Sequence, residues 1–425
     1  MTTQTISHDN NTRPTQTKPS LLNSLGPGIM MAAAAIGGSH LIASTKAGAI
    51  YGWQLVGLII LVNIFKYPFF QYGARYSAAT DESLVRGYAR MGQPWLLLFL
   101  GLNAFASVVN IAALLGLTSA LLGAVFPGIP TLVMAGVVIS VCLLIVLRGH
   151  YHLVDGFSKW IVVILSVVTV AATLLAFTQP SAAPAEFVAP DPWVLGSLAM
   201  LISLMGWMPA PVEVSAMTSL WGRSKAQEDG PRSMKTALLD MNVGYIGTTI
   251  LALFFVALGA QVMHGSGIEL AKSGAAFSQQ LADMYASVMG DWSRWLVIIA
   301  AVCCIFSSLL TCVDGYSRVN KSAWDNLHGN DSPNTESPLL ALAISAAAIT
   351  LVTQFPGSML AMLEFAMIAA FLTTPVFALL NYRLMNASHV PEEHKPGRAL
   401  TLLSQAGLIF LFGFAALFIW WKWMM

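Results

Sequence analysis

Residues 26–49 read GPGIMMAAAAIGGSHLIASTKAGA, an apolar segment long enough to cross a bilayer as a helix. In its middle, residues 36–40 read IGGSH, where two helix-weakening glycines, a serine and a histidine interrupt the apolar run. A backbone group freed from its helical hydrogen bond in hydrocarbon is costly unless protein or a water-filled cavity satisfies it. The stretch therefore predicts an interrupted membrane helix, and the interruption marks a candidate binding site.

The rest of the chain has the composition of a membrane protein. It has 425 residues, of which 56% are hydrophobic and only 10% charged. Apolar segments of about 20 residues, the length needed to span hydrocarbon, recur eleven times, which predicts an all-α polytopic membrane protein with about eleven transmembrane helices. The segments are roughly 27–48, 50–73, 95–122, 128–147, 157–178, 193–221, 237–263, 293–313, 338–354, 358–382 and 401–424.

The distribution of Lys and Arg predicts an orientation. With the N-terminus placed in the cytoplasm, 16 of the 21 basic residues fall in cytoplasmic segments, four fall outside and Lys66 lies within a span. This bias agrees with the positive-inside rule. We therefore predict a multi-pass protein of the cell inner membrane with its N-terminus in the cytoplasm and its C-terminus outside. Residues 1–24 are polar and are predicted to form a disordered cytoplasmic tail.

A second interruption lies in the sixth span. Residues 201–221 read LISLMGWMPAPVEVSAMTSLW, and Met208-Pro209-Ala210-Pro211 places two prolines where a helix would continue. Spans one and six are five helices apart, the offset expected of two inverted repeats that each open at their first helix. The alternative is that the glycines allow close packing and the prolines make a kink. Two matched breaks favour a transporter with its substrate site near the bilayer midplane.

The transmembrane domain, residues 25–425, is predicted to consist of repeat one at about 25–180, repeat two at about 190–385 and an extra helix at 400–425. We find no nucleotide loop, paired metal-spacing histidines or Ser, His and acid cluster, so we expect no enzyme activity and no cofactor. The net charge of +1 gives no indication of nucleic-acid binding. The four cysteines lie in or beside apolar segments and are interpreted as packing residues.

Several stretches together resemble the NRAMP family of proton-coupled divalent metal transporters. They are LGPGIMMAAAAI at 25–36, STKAGAIYGWQL at 44–55, the Met-Pro of span six, SMKTALLDMNVGY at 233–245 and FSSLLTCVDGYSR at 306–318. The resemblance covers most of residues 25–385. It implies the LeuT-like fold of the sodium-coupled amino-acid transporters, a 5+5 inverted repeat with broken helices one and six, a divalent metal cargo and protons as the coupling ion.

The sequence departs from the family pattern at the metal-binding positions. The family has Asp-Pro-Gly-Asn in the first helix, where this chain has Gly37, Gly38, Ser39 and His40. In span six the family's Met-Pro-His corresponds to Met208, Pro209 and Ala210. Span three, 95–122, contains no Asp or Glu, and Thr373 stands near a family glutamine position. If a metal is bound at all, its side-chain ligands are predicted to be Met208 and His40.

The predicted substrate site combines both interruptions. Its residues are Gly37, Gly38, Ser39, His40, Met205, Met208, Pro209, Ala210 and Thr373. The resemblance implies a metal ion as cargo. The residues at the breaks favour a small anionic or zwitterionic organic solute, or another anion, because a glycine-rich opening exposes backbone donors.

Three ionisable residues within spans are candidates for coupling or proton relay. Lys66 either pairs with Glu213, contacts a substrate anion, supplies a cation where related folds bind sodium, or extends to the interface. Glu213 either cycles a proton, pairs with Lys66 or caps the second half-helix. His40 either ligates, donates to substrate or relays protons, or is a packed polar residue.

Overall fold

The computed structural model describes residues 26–148, 151–268, 270–271, 274–330, 335–355 and 359–424. Its helices are α1 (Pro27–Ala35), α2 (Ser39–Tyr51), α3 (Val56–Thr80), α4 (Leu84–Met91), α5 (Gln93–Val125), α6 (Thr131–Leu147), α7 (Tyr151–Ala176), α8 (Leu198–Gly206), α9 (Val214–Asp229), α10 (Met234–Val262), α11 (Gly274–Met289), α12 (Ser293–Leu327), α13 (Pro338–Val352), α14 (Met359–Met385) and α15 (Arg398–Met424). The described residues contain no β-strand. The predicted disordered tail, 1–24, lies outside the described residues.

Each of the eleven predicted spans coincides with a helix or a pair of half-helices. Six helices are long and apolar enough to cross a membrane, namely α3, α5, α10, α12, α14 and α15, and the bent pair α1 and α2 makes a seventh. The remaining four spans correspond to shorter apolar helices in α6, α7, α8 and α13. The prediction of an all-helical membrane protein is therefore confirmed.

The outermost helices expose large apolar side chains. Trp160 on α7, Ile409 on α15 and Trp423 near the end of α15 are 70%, 76% and 81% exposed. Only 28% of the most apolar part of α15 is buried within the protein. Exposed apolar surface of this extent is unfavourable in water and favourable against lipid, so these faces border the bilayer.

The centre of the molecule is formed by α5 and α12, whose most apolar parts are each 72% buried. The half-helix α1 packs between α12 and α10. It approaches α10 so closely that a Cβ on Gly28 would lie 2.0 Å from the Asp240 carbonyl oxygen. This contact needs a glycine, because any side chain would push the two backbones apart.

The N-terminal end of α1 is held by a carboxylate from α10. Asp240, which is 2% exposed, accepts hydrogen bonds from the backbone N–H groups of Gly26 at 2.9 Å and Gly28 at 3.1 Å. Arg232 also donates to Asp240 at 3.2 Å. The carboxylate satisfies donors that a helix start leaves free and lies at the positive end of the helix dipole. Asp240 thus fixes the position of the first half of the broken span.

Candidate functional site

The first span is interrupted where the glycines predict it. Helix α1 ends at Ala35, Ile36 adopts an extended conformation, and the chain resumes a helix at Ser39. The axes of the two halves differ by 49°, and the first turns of α2, Ser39–Ser44, are π-helical. The predicted interruption is confirmed, with a widened turn on its far side.

Carbonyl groups released by this interruption are satisfied by α12. The Ser308 hydroxyl donates to the Ala33 carbonyl at 2.8 Å, and the Cys304 thiol donates to the Ile36 carbonyl at 2.8 Å. Buried backbone acceptors are rarely left unpaired, because an unmade hydrogen bond in an apolar environment is expensive. The hydroxyl and thiol groups on this face of α12 therefore stabilise the break in span one.

The sixth span is interrupted over a longer stretch than the Met-Pro-Ala-Pro motif. Helix α8 ends at Gly206 and α9 begins at Val214, with the Met208–Pro209 peptide bond in the cis form. The Lys66 ammonium donates to the Met205 carbonyl at 2.6 Å and to the Gly206 carbonyl at 2.9 Å. The predicted break is confirmed, and a charged side chain from α3 holds the end of its first half.

The two interruptions meet at the centre of the protein. A Cβ built on Gly38 would lie 3.0 Å from the Trp207 ring, so the indole packs directly against the glycine. Beside this contact is a cavity of about 30 Å³, room for roughly two water molecules. Its lining comprises Ala34, Ala35, Gly38, Ser39, Asn110, Leu114, Trp207, Pro209, Ala210, Pro211, Val214, Cys312 and Tyr316.

A hydrogen-bond network crosses the cavity wall. The Trp207 indole N–H donates to Asn110 Oδ1 at 2.9 Å. Asn110 Nδ2 donates to Tyr316 Oη at 2.7 Å and lies 3.3 Å from Glu213 Oε1, while the Tyr316 hydroxyl donates to the same Oε1 at 3.2 Å. The network joins α5, α12 and the interruption of the sixth span, so the three elements share one polar centre.

One carboxylate oxygen of Glu213 lies outside this hydrogen-bond network. The residue is 1% exposed, and its Oε2 atom has no hydrogen-bond partner in any other described residue. Lys66 and Glu213 interact coulombically but form no ion pair within 4.0 Å, since the ammonium is bound to carbonyls. Of the alternatives drawn from the sequence, a direct Lys66–Glu213 pair is absent in this conformation. Lys66 also does not extend to the interface, because it is 0% exposed.

The structure brings four of the predicted substrate residues to the cavity and places the others elsewhere. Gly38, Ser39, Pro209 and Ala210 form part of its lining. The predicted residues outside the lining are Gly37, His40, Met205, Met208 and Thr373. Whether any of these nine residues binds cargo stays a prediction.

The residues outside the lining have other partners. His40 Nε2 lies 2.9 Å from the Thr248 carbonyl on α10, and its Nδ1 lies 2.7 Å from the Ser39 hydroxyl. The Thr373 hydroxyl donates to carbonyls of its own helix, including that of Ala370 at 3.1 Å. Met205 and Met208 are each 0% exposed and belong to the hydrophobic core. In this conformation, His40 is a polar residue packed against α10.

Several residues of the cavity wall were not among the substrate-site residues predicted from the sequence. Trp207 directly precedes the Met-Pro motif, and Tyr316 lies in the VDGYSR segment of span eight, but neither was assigned a role. Cys312 was interpreted as a packing residue, yet its side chain lines the cavity. Asn110 is a strongly polar residue in an otherwise apolar span. Its signal was the cost of placing a carboxamide there.

The described residues contain no group of three or more His, Cys, Asp or Glu side chains placed to hold a metal ion. The polar groups at the cavity are the Ser39 hydroxyl, the Asn110 carboxamide, the Trp207 indole N–H, the Cys312 thiol, the Tyr316 hydroxyl and backbone groups of the interruptions. This set is neutral. It suits a weakly held ion with some thiol affinity, or a small polar solute, better than a hard divalent ion.

Comparisons with known proteins place the chain among related sequences and folds. The family model described as natural resistance-associated macrophage protein-like matches residues 28–421. An uncharacterized protein of Pasteurella multocida (strain Pm70) is 44% identical over 400 residues, covering 93% of this chain and 91% of that protein.

Two solved structures share the fold. A mutant of the Eremococcus coleocola manganese transporter aligns with a TM-score of 0.71 at 12% identity, over 94% of this chain and 86% of that chain. MhsT in complex with L-phenylalanine aligns with a TM-score of 0.60 at 15% identity, over 91% and 98%. The predicted LeuT-like fold class is thereby confirmed, whereas the predicted repeat boundaries stay predictions.

Proposed function

Because the chain belongs to the natural resistance-associated macrophage protein-like (NRAMP) family, we propose that it is a secondary-active transporter that binds its cargo in the central cavity. The observation that supports this most strongly is that the two interrupted helices meet at the contact of Gly38 with Trp207, beside one central cavity. In transporters of this fold, half-helix ends direct unpaired backbone groups at a substrate near the bilayer midplane. Transport then follows from movement of the half-helices against the surrounding helices.

For the cargo we propose a divalent transition metal ion. Family membership supports this, as does the manganese transporter that shares the fold. The cavity, at about 30 Å³, has room for an ion with little hydration in this conformation. Ser39, Cys312 and the carbonyls of the interruptions would contact the ion, and the buried Met208 and His40 would join them only after turning toward the cavity.

A small anionic or zwitterionic solute is the second candidate. Its support is the buried Lys66 ammonium, which donates to Ala210 at 3.3 Å on the cavity wall. When Glu213 is protonated this positive charge is uncompensated, which disfavours a divalent cation and favours an anion. The neutral donor set at the cavity agrees with such a cargo.

We assign proton coupling to Glu213. Glu213 directly precedes α9, and its Oε2 atom has no hydrogen-bond partner in any other described residue. Its Oε1 atom belongs to the network that reaches the cavity wall. A buried carboxylate with a free oxygen can gain and lose a proton as the cavity opens and closes to water. Protons would thus be the coupling ion, as the family resemblance implies.

The charge distribution supports placing the transporter in the cell inner membrane with its N-terminus in the cytoplasm and its C-terminus outside. In that orientation α1 and α9 lie on the cytoplasmic side of the interruptions, and α2 and α8 on the outer side. Alternating access then consists of opening the cavity between these halves, first to one side and then to the other.

Calorimetric titration of the purified protein with Mn²⁺ and Cd²⁺ tests the metal proposal. We expect Cd²⁺ to bind, because the Cys312 thiol is a soft ligand at the cavity. Cys312→Ala should weaken Cd²⁺ binding at least about tenfold, the cost of losing even an outer-shell partner of a metal. Met208→Ala weakens it too if the thioether turns toward the ion.

The matched control is Cys142→Ala, which removes a buried thiol on α6 that does not line the cavity. Its Cd²⁺ affinity should equal that of the wild type. If neither metal produces binding heat with the wild-type protein, the metal proposal is wrong. Uptake of small organic anions into proteoliposomes then becomes the test of the second candidate.

A further inference from the structure

Lys66 is a buried charged residue with no carboxylate partner at ion-pair distance in the described parts of the chain. It lies within α3 and is 0% exposed. Its Nζ atom donates to three backbone carbonyls, those of Met205 at 2.6 Å, Gly206 at 2.9 Å and Ala210 at 3.3 Å. Among the described residues, no carboxylate oxygen lies within 4.0 Å of it. The ammonium is thus solvated entirely by carbonyl oxygens of the interrupted span.

The three carbonyls form a cation-binding arrangement. Met205 and Gly206 lie at the C-terminal end of α8, where the helix dipole is negative and the last carbonyls have no partner within the helix. Ala210 contributes a third oxygen from the non-helical segment. Half-helix C-termini and unwound carbonyls of this kind coordinate inorganic cations in transporters.

From this geometry we infer that the Lys66 ammonium occupies a built-in site for a monovalent inorganic cation at the interruption of the sixth span. The side chain acts as a tethered cation. While it is in place, the site is closed to free ions. Its removal leaves three inward-facing carbonyls that need a positive charge or water.

The charge balance selects the class of ion. Glu213 is buried close enough to interact coulombically with Lys66, and the pair is neutral overall when both groups are ionised. A monovalent cation such as Na⁺ in place of the ammonium preserves that balance. A divalent ion adds one uncompensated charge in a low-dielectric environment, which is costly.

Lys66→Gln and Lys66→Met test the inference in full-length purified protein. Both replacements are uncharged and one atom shorter than Lys, so each leaves the position of the ammonium open to an ion. We expect both variants to show a thermal unfolding midpoint that rises with NaCl and not with equal choline chloride. Calorimetry should show Na⁺ affinity at least about tenfold above wild type, the range typical of coupling between two ligands.

Two further variants serve as controls. Lys66→Arg retains the positive charge and should show no gain in Na⁺ response. Lys46→Met removes a half-buried lysine near Glu364 on the surface, 4.0 Å from its partner, and should behave like wild type. Identical Na⁺ and choline responses in both Lys66→Gln and Lys66→Met would overturn the inference, and so would a response to Mn²⁺ alone.

The test is independent of the cargo, since it measures binding and stability and not transport. A purely structural helix cap predicts lower stability for Lys66→Met with no specific restoration by Na⁺. If Lys66→Met does not fold, Lys66→Gln still decides between the two roles, because it too lacks the ammonium and a purely structural cap predicts no gain of Na⁺ affinity.

Discussion

At the scale of single residues, the most informative atom is Glu213 Oε2. It is buried within a polar network in which the other oxygen of the same carboxylate receives hydrogen bonds from Asn110 and Tyr316. A buried acceptor without a partner is expensive in a stable protein unless another group occupies it for part of the working cycle. A proton is the smallest such group.

Glu213→Gln should therefore uncouple transport from the proton gradient. The amide preserves the size of the side chain and its contact with the Tyr316 hydroxyl, but it cannot release a proton. We expect the stimulation of uptake by an inward proton gradient to fall by about 5–150-fold, the range of a coupling free energy of 1–3 kcal/mol. Uptake into proteoliposomes with and without the gradient measures this effect.

Glu364→Gln is the matched control, because Glu364 is partly exposed and only loosely paired with Lys46 at 4.0 Å. It should retain the response to the gradient. Retention of the full response by Glu213→Gln would show that another group carries the proton.

At the scale of elements, the position of α1 depends on its contact with α10. The Asp240 carboxylate holds the start of α1, and Gly28 and Gly244 let the two backbones touch. A Cβ on Gly244 would lie 2.1 Å from the Gly28 carbonyl oxygen, so neither glycine tolerates a side chain here. Because α1 leads directly into the cavity wall at Ala34, this contact also positions the first interruption.

Gly28→Ala should destabilise the protein by separating α1 from α10. Overpacking of this kind costs about 1–3 kcal/mol, and here the clash is with backbone that cannot rotate away. Thermal unfolding in detergent should show a lower midpoint, and cargo binding should weaken with it.

Gly57→Ala provides the comparison on α3, where an added Cβ meets no atom within 4 Å. Its midpoint should stay within error of wild type or rise slightly, since alanine favours helix. Equal midpoints for the two variants would contradict the packing argument for Gly28.

At the scale of the whole molecule, the conformation described has a small central cavity. Cys312 lies on its wall and is only 6% exposed, so a water-soluble thiol reagent has little access to it in this state. In an alternating-access cycle the cavity opens to one side at a time. The reactivity of Cys312 therefore reports on the cycle.

We predict that Cys312 is labelled slowly in the resting protein and at a different rate when Mn²⁺ or a proton gradient is present. The measurement uses a variant in which Cys142 and Cys303 are replaced by alanine and Cys304 by serine, which keeps the donor to Ile36. Labelling of proteoliposomes with a membrane-impermeant maleimide gives the rate from one side.

Protection of Cys312 by Cd²⁺ would further support binding at the cavity. A labelling rate that is the same under all conditions would show that the cavity wall does not become accessible, and it would contradict the proposed cycle.

Local sequence by itself determined the helical membrane architecture and the two interruptions. Apolar runs of span length have one stable form in lipid, and Gly37-Gly38 and Pro209-Ala210-Pro211 weaken or break a helix wherever they stand. Neither effect depends on distant parts of the chain. For that reason the local sequence was enough to predict four residues of the cavity lining, Gly38, Ser39, Pro209 and Ala210.

Only the tertiary structure decided which side chains surround the interruptions. Asn110 meets Glu213 across 103 residues of sequence, and Lys66 meets Met205 across 139. Such contacts arise from the packing of α3, α5 and α12 against the broken span, and no local pattern encodes the rotation of each helix. The same packing places His40 against α10 and the Lys66 ammonium against the carbonyls at the end of α8. These contacts form because buried polar groups are almost always hydrogen-bonded, and only the fold decides which distant residue supplies the donor.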